Sequence, residues 1–214
     1  MNPNPPRIYP RIKHVSFLDA VQPLLDRIEA MGGNREAQTP VAFPLAGDAG
    51  LLVTYAIDEP AQFVSLTQER MDELGLDAHE LHELAVENLI QKAGPNIGTQ
   101  DLVMYKALVT GDDFEACTLL LPRLWETLSE GFEGELLAVV PSRNTVYFMD
   151  SGARRELAGQ PLTARTMLGL MCATAADIKV QAREHGLSDK VIALTPDGWQ
   201  IRGTFDDHAA ALRA

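Results

Sequence analysis

The hydrophobic residues of this chain form short extended runs, which alternate with stretches of helical period. The extended runs flank clusters of turn residues and predict three β-hairpins, at residues 51–66, 134–150 and 191–203. Their turns hold residues that favour chain reversal, namely Asp58–Glu59–Pro60, Ser142–Arg143–Asn144 and Pro196–Asp197–Gly198. Residues 102–110 are predicted to form a further strand. Residues 7–13 are predicted to form an edge strand, because Pro10 disfavours helix at the residue before it.

Apolar residues at helical spacing predict the helices. Their ends are marked by Ser16 and Gly32, by Thr67 and Gly75, by Asp77 and Ala93, and by Thr163 and Gly186. Ser16 is an N-cap candidate, and Asp77 and Glu80 have the spacing of a capping box. The apolar face of the first helix consists of Phe17, Val21, Leu24, Leu25 and Ile28. Residues 33–49 are predicted to form a loop, and helical turns are expected to restart at Pro122.

This mixture of hairpins and helices predicts an α+β fold, mainly an antiparallel sheet with helices packed on one face. We expect residues 1–214 to form a single domain with a frayed tail at residues 206–214. A hairpin followed by a helix occurs twice along the chain. Two similar halves, 1–130 and 131–205, are therefore an alternative interpretation.

Four blocks of the sequence resemble one protein family. They are RIYPRIKHVSF (7–17), LLVTYAIDEPAQFVSL (51–66), AVENL (85–89) and GELLAVVPSRNTVYFMDS (134–151), in this order. Their succession resembles the YtpQ-like family, bacterial proteins catalogued as a domain of unknown function. Members of that family carry a longer N-terminal region before the first block. The resemblance implies kinship over most of residues 7–151, and it implies no activity, cofactor or site residue.

The charge of the chain disfavours some classes of partner. Lysine and arginine total 18 against 30 for aspartate and glutamate, which gives a formal net charge of −12. Such a charge repels phosphate backbones and anionic lipid surfaces, so we expect neither nucleic-acid nor membrane binding. It would speed the capture of a basic protein partner. Arg7, Arg11 and Lys13 precede the first acidic residue, Asp19, and could form a small cationic patch.

The apolar segments also bear on the compartment. The longest apolar runs are shorter than the roughly 18 residues that a membrane span needs, and the proline-broken start lacks the core of a signal peptide. Cys117 and Cys172 lie in apolar segments and are predicted to be buried thiols. These features predict a soluble, cytoplasmic protein.

His79, His82 and Glu83 are the best candidates for a metal site, because positions i, i+3 and i+4 share one helix face. The order HELHE differs from the HExxH pattern, however, and the apolar stripe of this helix leaves His79 and Glu83 facing solvent. We therefore predict no metal and no cofactor. Asp112, Asp113 and Glu115 form an acidic cluster, in which Asp112 or Asp113 is predicted to cap a helix rather than to bind an ion.

Three polar residues around the first hairpin are candidates for binding. Asn88 continues the apolar stripe of its helix, and a buried amide without a partner costs about 1–3 kcal/mol. This amide either ties the helix to a neighbouring backbone or lies beside Tyr55 and Asp58 at the edge of a cleft. The sequence leaves both interpretations open.

Arg143 and Asn144 are the binding candidates of the second hairpin. Their small polar neighbourhood is typical of a turn. In the alternative interpretation the turn is a recognition loop, in which the guanidinium group of Arg143 engages a carboxylate or a phosphate. Asp150 would also serve as an internal partner for the same side chain.

Together these features predict a non-catalytic module that binds another protein, in the manner of an immunity protein, an inhibitor or a regulator. The main alternative is an enzyme, which would use Tyr55, Asp58 and Asn88, or a metal held by His79 and His82. A structural subunit of a larger assembly is a third interpretation. No nucleophile or nucleotide motif is recognisable, so no catalytic residue is assigned, and the oligomeric state stays open.

Overall fold

The computed structural model describes residues 7–45, 49–210 and 212, and it combines helices with antiparallel sheets. This confirms the predicted α+β fold. The helices are α1 (Ser16–Ala30), α2 (Gln68–Leu74), α3 (Ala78–Ala93), α4 (Pro122–Leu128), α5 (Ala164–Ala182) and α6 (Phe205–Ala210). The strands are β1 (Ile8–His14), β2 (Ala42–Leu45), β3 (Leu51–Asp58), β4 (Phe63–Ser65), β5 (Gly98–Asp101), β6 (Lys106–Val109), β7 (Leu136–Ser142), β8 (Thr145–Asp150), β9 (Arg155–Leu157), β10 (Gln160–Leu162), β11 (Lys190–Thr195) and β12 (Gly198–Thr204).

The first sheet is built around β3, which pairs with β1, β2 and β4. Strand β1 lies at the edge of this sheet, as its proline predicted, and its register places Arg11 opposite Thr54. Helix α3 packs against β1 and buries Leu81, Ala85 and Leu89 at helical spacing. This packing leaves one side of the edge strand free to meet a later part of the chain.

The second sheet has six strands in the order β12, β11, β7, β8, β6 and β5. Strand β7 is buried along its whole length, because helix α5 covers one of its faces. The sheet joins residues on both sides of residue 130, since β6 pairs with β8. Strands β9 and β10 form a separate small ribbon.

A buried tryptophan anchors the contact between the sheets and the short helices. Trp125 of α4 is fully buried, and its indole N–H donates a hydrogen bond of 2.7 Å to the carbonyl oxygen of Thr118. Its ring packs against Phe148 of β8 and against Trp199 of β12. A buried aromatic residue of this size contributes more apolar burial than any aliphatic residue around it.

The three predicted hairpins are confirmed, with their turns between β3 and β4, β7 and β8, and β11 and β12. The capping box is also confirmed: the Asp77 carboxylate accepts from the backbone N–H of Glu80, and the Glu80 carboxylate accepts from that of Asp77. Helix α2 begins after Thr67, as predicted, and Gly75 ends it in the left-handed conformation.

Four predictions about local structure are wrong in whole or in part. Ser16 does not cap α1, since its hydroxyl bonds to the imidazole of His14, and Leu24 of the predicted apolar face is 58% exposed. Strand β2 interrupts the predicted loop 33–49. The strand predicted at 102–110 is confirmed only over β6, since the residues before it turn the chain, with Val103 in a left-handed conformation, and connect β6 to β5 in a hairpin.

The fourth error concerns the predicted tail, in which helix α6 covers residues 205–210. The carboxylate of Asp207 accepts from the backbone N–H of Thr204 at 2.9 Å, and this bond stabilises the first turn of the helix. Residue 212 lies in a turn, and residues 211, 213 and 214 of the predicted tail lie outside the described residues. Within the described residues, no helix has the length and the apolar composition that spanning a bilayer requires.

Candidate functional site

Three cations from two distant parts of the chain meet at the free side of β1. Arg11 and Lys13 are two positions apart in the strand, so both side chains lie on the same side of it. The turn between β7 and β8 brings Arg143 next to them. They line a cavity of about 200 Å³, together with Asp113 and Cys117. We call this cavity the cationic pocket.

Aromatic rings hold the guanidinium group of Arg11 in place. It lies 3.9 Å from the ring centroid of Phe63 and 4.4 Å from that of Phe114. Its Nη1 donates one hydrogen bond of 3.3 Å to the carbonyl oxygen of Asp113. The two rings lie at 85° to each other, so they contact the guanidinium group from different directions. Among the described residues Asp113 is its one hydrogen-bond partner, which leaves most of its five donors for a ligand.

The backbone of Arg143 is fixed on both sides. Its N–H donates to the carbonyl oxygen of His185 at 3.3 Å, and its own carbonyl oxygen accepts from the N–H of Ala116 at 3.1 Å. The side chain is 44% exposed, and its Nη2 lies 3.3 Å from the Oδ2 of Asp113. The arginine is therefore a turn residue, as predicted, and it also forms part of the cavity wall, while recognition of a ligand by its side chain stays a prediction.

The pocket carries more positive than negative charge. Burial lowers the pKa of Lys13, and the positive charges of Arg143 and Arg11 lower it further. Burial also lowers the pKa of Arg11. Among the described residues, no carboxylate forms an ion pair with Lys13 or Arg11, whereas Asp113 pairs with Arg143. An anion bound between the three cations would relieve their repulsion and replace water lost through burial.

The thiol of Cys117 lines the pocket but is not a nucleophile. Its side chain is buried, and its Sγ donates a hydrogen bond of 3.2 Å to the carbonyl oxygen of Pro10. Burial raises its pKa to about 11, so the group stays protonated at neutral pH. Cys172 is likewise a buried free thiol, as the sequence predicted.

Of the residues predicted around the first hairpin, Tyr55 lines the cationic pocket and Asp58 and Asn88 do not, and each of the three has its own polar contact. The hydroxyl of Tyr55 is 2.9 Å from Nδ1 of His82, and burial raises the pKa of this tyrosine to about 12. The carboxylate of Asp58 lies 3.7 Å from Nζ of Lys92. The amide of Asn88 donates 2.9 Å to the carbonyl oxygen of Ile8, which ties the helix to the backbone of β1.

The remaining polar residues of the second hairpin stabilise the hairpin itself. The Oδ1 of Asn144 accepts from the hydroxyl of Ser142 at 2.8 Å. Asp150 does not hold Arg143, because it lies at the other end of β8. Its carboxylate accepts from the backbone N–H groups of Glu133, Gly134 and Gly152 at 2.7 to 2.8 Å. Of the two predicted hairpin candidates, the side chain of Arg143 alone lines the pocket.

The acidic residues before the short helix at 116–120 do not cap it. The helix follows Glu115, and no side-chain bond caps its first turn. Asp113 instead takes a left-handed conformation, with φ of 58°, and turns its carboxylate to Arg143. The Oε1 of buried Glu115 accepts from the N–H of Thr110 at 3.0 Å. The predicted capping by Asp112 or Asp113 is therefore wrong.

The side chains of His79, His82 and Glu83 in α3 do not converge on one point. Nε2 of His79 lies 3.4 Å from Glu83, and these side chains are 79% and 68% exposed, as predicted. His82 turns to Tyr55 instead of joining them. Across the described residues, no group of three or more His, Cys, Asp and Glu side chains is arranged to hold a metal ion.

Comparison of the chain with protein-family models, with curated proteins and with solved structures finds no match. The YtpQ-like resemblance therefore stays a prediction.

Proposed function

We propose that this protein is a non-catalytic binding protein, whose ligand presents an anionic oxygen group to the cationic pocket. The observation that carries the proposal is the meeting of Arg11, Lys13 and Arg143 at one cavity of a chain with net charge −12. Three partly buried cations that repel one another are unfavourable unless an anion lies between them. A carboxylate or phosphate group removes that cost.

The chemistry of the three side chains fits such a group. Two guanidinium groups supply planar forks of donors, which match the oxygen pairs of carboxylate and phosphate. Lys13 adds a compact positive charge to the same cavity, and its ammonium lies 5.4 Å from the ring centroid of Phe17. A volume of about 200 Å³ holds one oxyanion group and the atoms next to it.

The other groups at the pocket favour binding over catalysis. Cys117 stays protonated, and the carboxylate of Asp113 is engaged by Arg143. A general base needs a free proton acceptor within hydrogen-bonding reach of the substrate. The cations therefore act by holding charge, and the site has the composition of a receptor for an anion.

A calorimetric titration of the protein with inorganic phosphate at low ionic strength tests the proposal. We expect binding by the unaltered protein and a loss of about 10- to 100-fold in affinity for Arg11→Gln, since a hydrogen bond to a charged group contributes about 1.5–3 kcal/mol. Arg143→Gln should weaken binding in the same direction. This second variant matters because Arg11 also packs between two rings, whereas the side chain of Arg143 is half exposed.

The matched control is Arg165→Gln, which removes the same charge from an exposed position in the first turn of α5. It should bind phosphate as the unaltered protein does. Equal affinities in all variants would show that phosphate binds elsewhere and would refute the proposed site. Absence of binding for both phosphate and acetate at millimolar concentration would refute the function.

The proposal retains the binding role predicted from the sequence and specifies what the binding site recognises. Attraction of a basic protein partner by the net charge stays a prediction. It would involve the acidic surface of the chain, whereas the cationic pocket contacts the anionic group itself.

A further inference from the structure

A second cavity adjoins the cationic pocket and shares part of its wall. It has a volume of about 300 Å³, and Ile12, Lys13 and Arg143 line both cavities. The segment after α5 forms its far side with Arg183 and His185. We call this second space the flanking cavity.

The flanking cavity is part of the same rigid framework as the pocket. The carbonyl oxygen of His185 accepts from the N–H of Arg143, and the N–H of Leu187 donates 2.8 Å to the carbonyl oxygen of Pro141. The end of β7 thus carries the 185–187 segment directly. Because these are backbone bonds, the distance between Arg143 and the segment is fixed before any ligand arrives.

Positive charge continues from the pocket into the flanking cavity. The charged groups along both walls are Arg11, Lys13, Arg143 and Arg183 against Asp113 and Glu184. Glu184 is 77% exposed and lies 3.9 Å from His185, whereas no described carboxylate forms an ion pair with the exposed Arg183. The carboxyl end of α5 offsets part of this charge, since helix carbonyls there carry a partial negative charge.

His14 does not add to the charge. Its Nδ1 accepts from the backbone N–H of Ser16 at 3.2 Å, so its proton resides on Nε2. Burial lowers the pKa of this imidazole, and the charge of Lys179 lowers it further. The cations that reach a ligand in the flanking cavity are therefore Lys13 and Arg143 on one side and Arg183 on the other.

We propose that the ligand is a small molecule with two anionic groups, one bound in the cationic pocket and the other reaching Arg183 across the wall formed by Lys13 and Arg143. This inference rests on the proposed function, and it adds that a single oxyanion occupies half of the site. Phosphate and carboxylate groups share the required chemistry, because both present paired anionic oxygens to a guanidinium fork.

The test compares ligands that differ in the number of anionic groups. Orthophosphate is compared with tripolyphosphate, and acetate with the dicarboxylates succinate and adipate, in calorimetric titrations at one ionic strength. The quantity of interest is the affinity ratio between the longer and the shorter ligand of each series. This ratio cancels effects that are common to both ligands.

Charge reversal at Arg183 changes the flanking cavity alone. Arg183→Glu should lower the affinity ratio by about tenfold while orthophosphate affinity stays within about twofold of the unaltered protein. The matched control, Arg165→Glu, reverses a charge at the other end of α5, roughly 27 Å away along the helix axis. It should keep the ratio unchanged, and Arg143→Gln should weaken the binding of both ligands.

The outcomes separate the two proposals. If orthophosphate binds and the ratio is the same in Arg183→Glu and Arg165→Glu, the two-anion ligand is refuted and the cationic pocket stands. If neither orthophosphate nor acetate binds, the proposed function fails as well. A ratio that responds to Arg183→Glu in the phosphate series supports a ligand with more than one phosphate, and the same response in the dicarboxylate series supports a dicarboxylate.

Discussion

Replacing Asp113 by asparagine should tighten the binding of phosphate. The Oδ2 of Asp113 lies 3.3 Å from the Nη2 of Arg143, so this carboxylate competes with an anion for the same donor. Asparagine removes the charge but preserves the backbone, since it accepts the left-handed conformation that Asp113 adopts with φ of 58°. The carbonyl oxygen that accepts from Arg11 belongs to the main chain and stays in place.

The exposure of the two side chains determines the expected magnitude. Arg143 is 44% exposed and Asp113 is 51% exposed, which places their ion pair among surface pairs. Such pairs contribute about 0.2–1 kcal/mol, so releasing Arg143 should tighten phosphate binding by about 1.5- to 5-fold. Calorimetric titration at low ionic strength measures this change, and added salt should reduce it.

Asp112→Asn is the matched control, because it removes the same charge from the neighbouring exposed residue. Asp112 forms no ion pair among the described residues, so its variant reports the effect of net charge alone. Phosphate affinity that is equal in the two variants would show that the contact with Arg143 does not matter. Weaker binding in Asp113→Asn would refute the competition directly.

Three further predictions concern stability and reactivity. Asp150→Asn should lower the free energy of unfolding, measured in urea, by about 1–3 kcal/mol. The carboxylate accepts from several backbone N–H groups, and in the variant one of these groups would face the NH₂ donor of the asparagine. The control, Asp197→Asn in the third hairpin, should change the free energy of unfolding little. Burial lowers the pKa of His82 below that of the unfolded chain, so stability should decrease as the pH falls from about 7 to 5, and His82→Gln should reduce this decrease. If the slope is the same in that variant, other groups cause it. Cys117 and Cys172 should resist a thiol reagent at pH 8 in the folded protein and react on unfolding, and rapid reaction of the native protein would contradict their burial.

Sequence patterns predict the structure correctly where residues a few positions apart determine it. The capping box at Asp77 and Glu80 and the turn at Pro196 depend on residues a few positions apart, and the sequence displays both. The left-handed conformation of Val103 is a feature that such local patterns do not predict. A β-branched residue disfavours positive φ, so nothing local marks the break that divides residues 98–109 into two strands.

The cationic pocket could be predicted only in part. The sequence indicates a cluster of cations before Asp19 and an arginine in a turn at Arg143, but these residues are more than a hundred positions apart. Pairing of β1 with β3 and packing of the 116–120 helix bring them together, and no periodic pattern encodes that approach. The partner of Arg143 was missed for the same reason, since Asp113 is nearer in space and Asp150 is nearer in sequence.

The main chain of Arg143 and its side chain serve different purposes. Its amide N–H donates to the carbonyl oxygen of His185 and its carbonyl oxygen accepts from the N–H of Ala116, and every residue except proline can provide both groups. The fold therefore depends little on which side chain stands at this position. Exchanging it for lysine, histidine or glutamine would offer a way to select among differently charged small molecules, in evolution or in design, without the loss of stability that changes in a core usually bring.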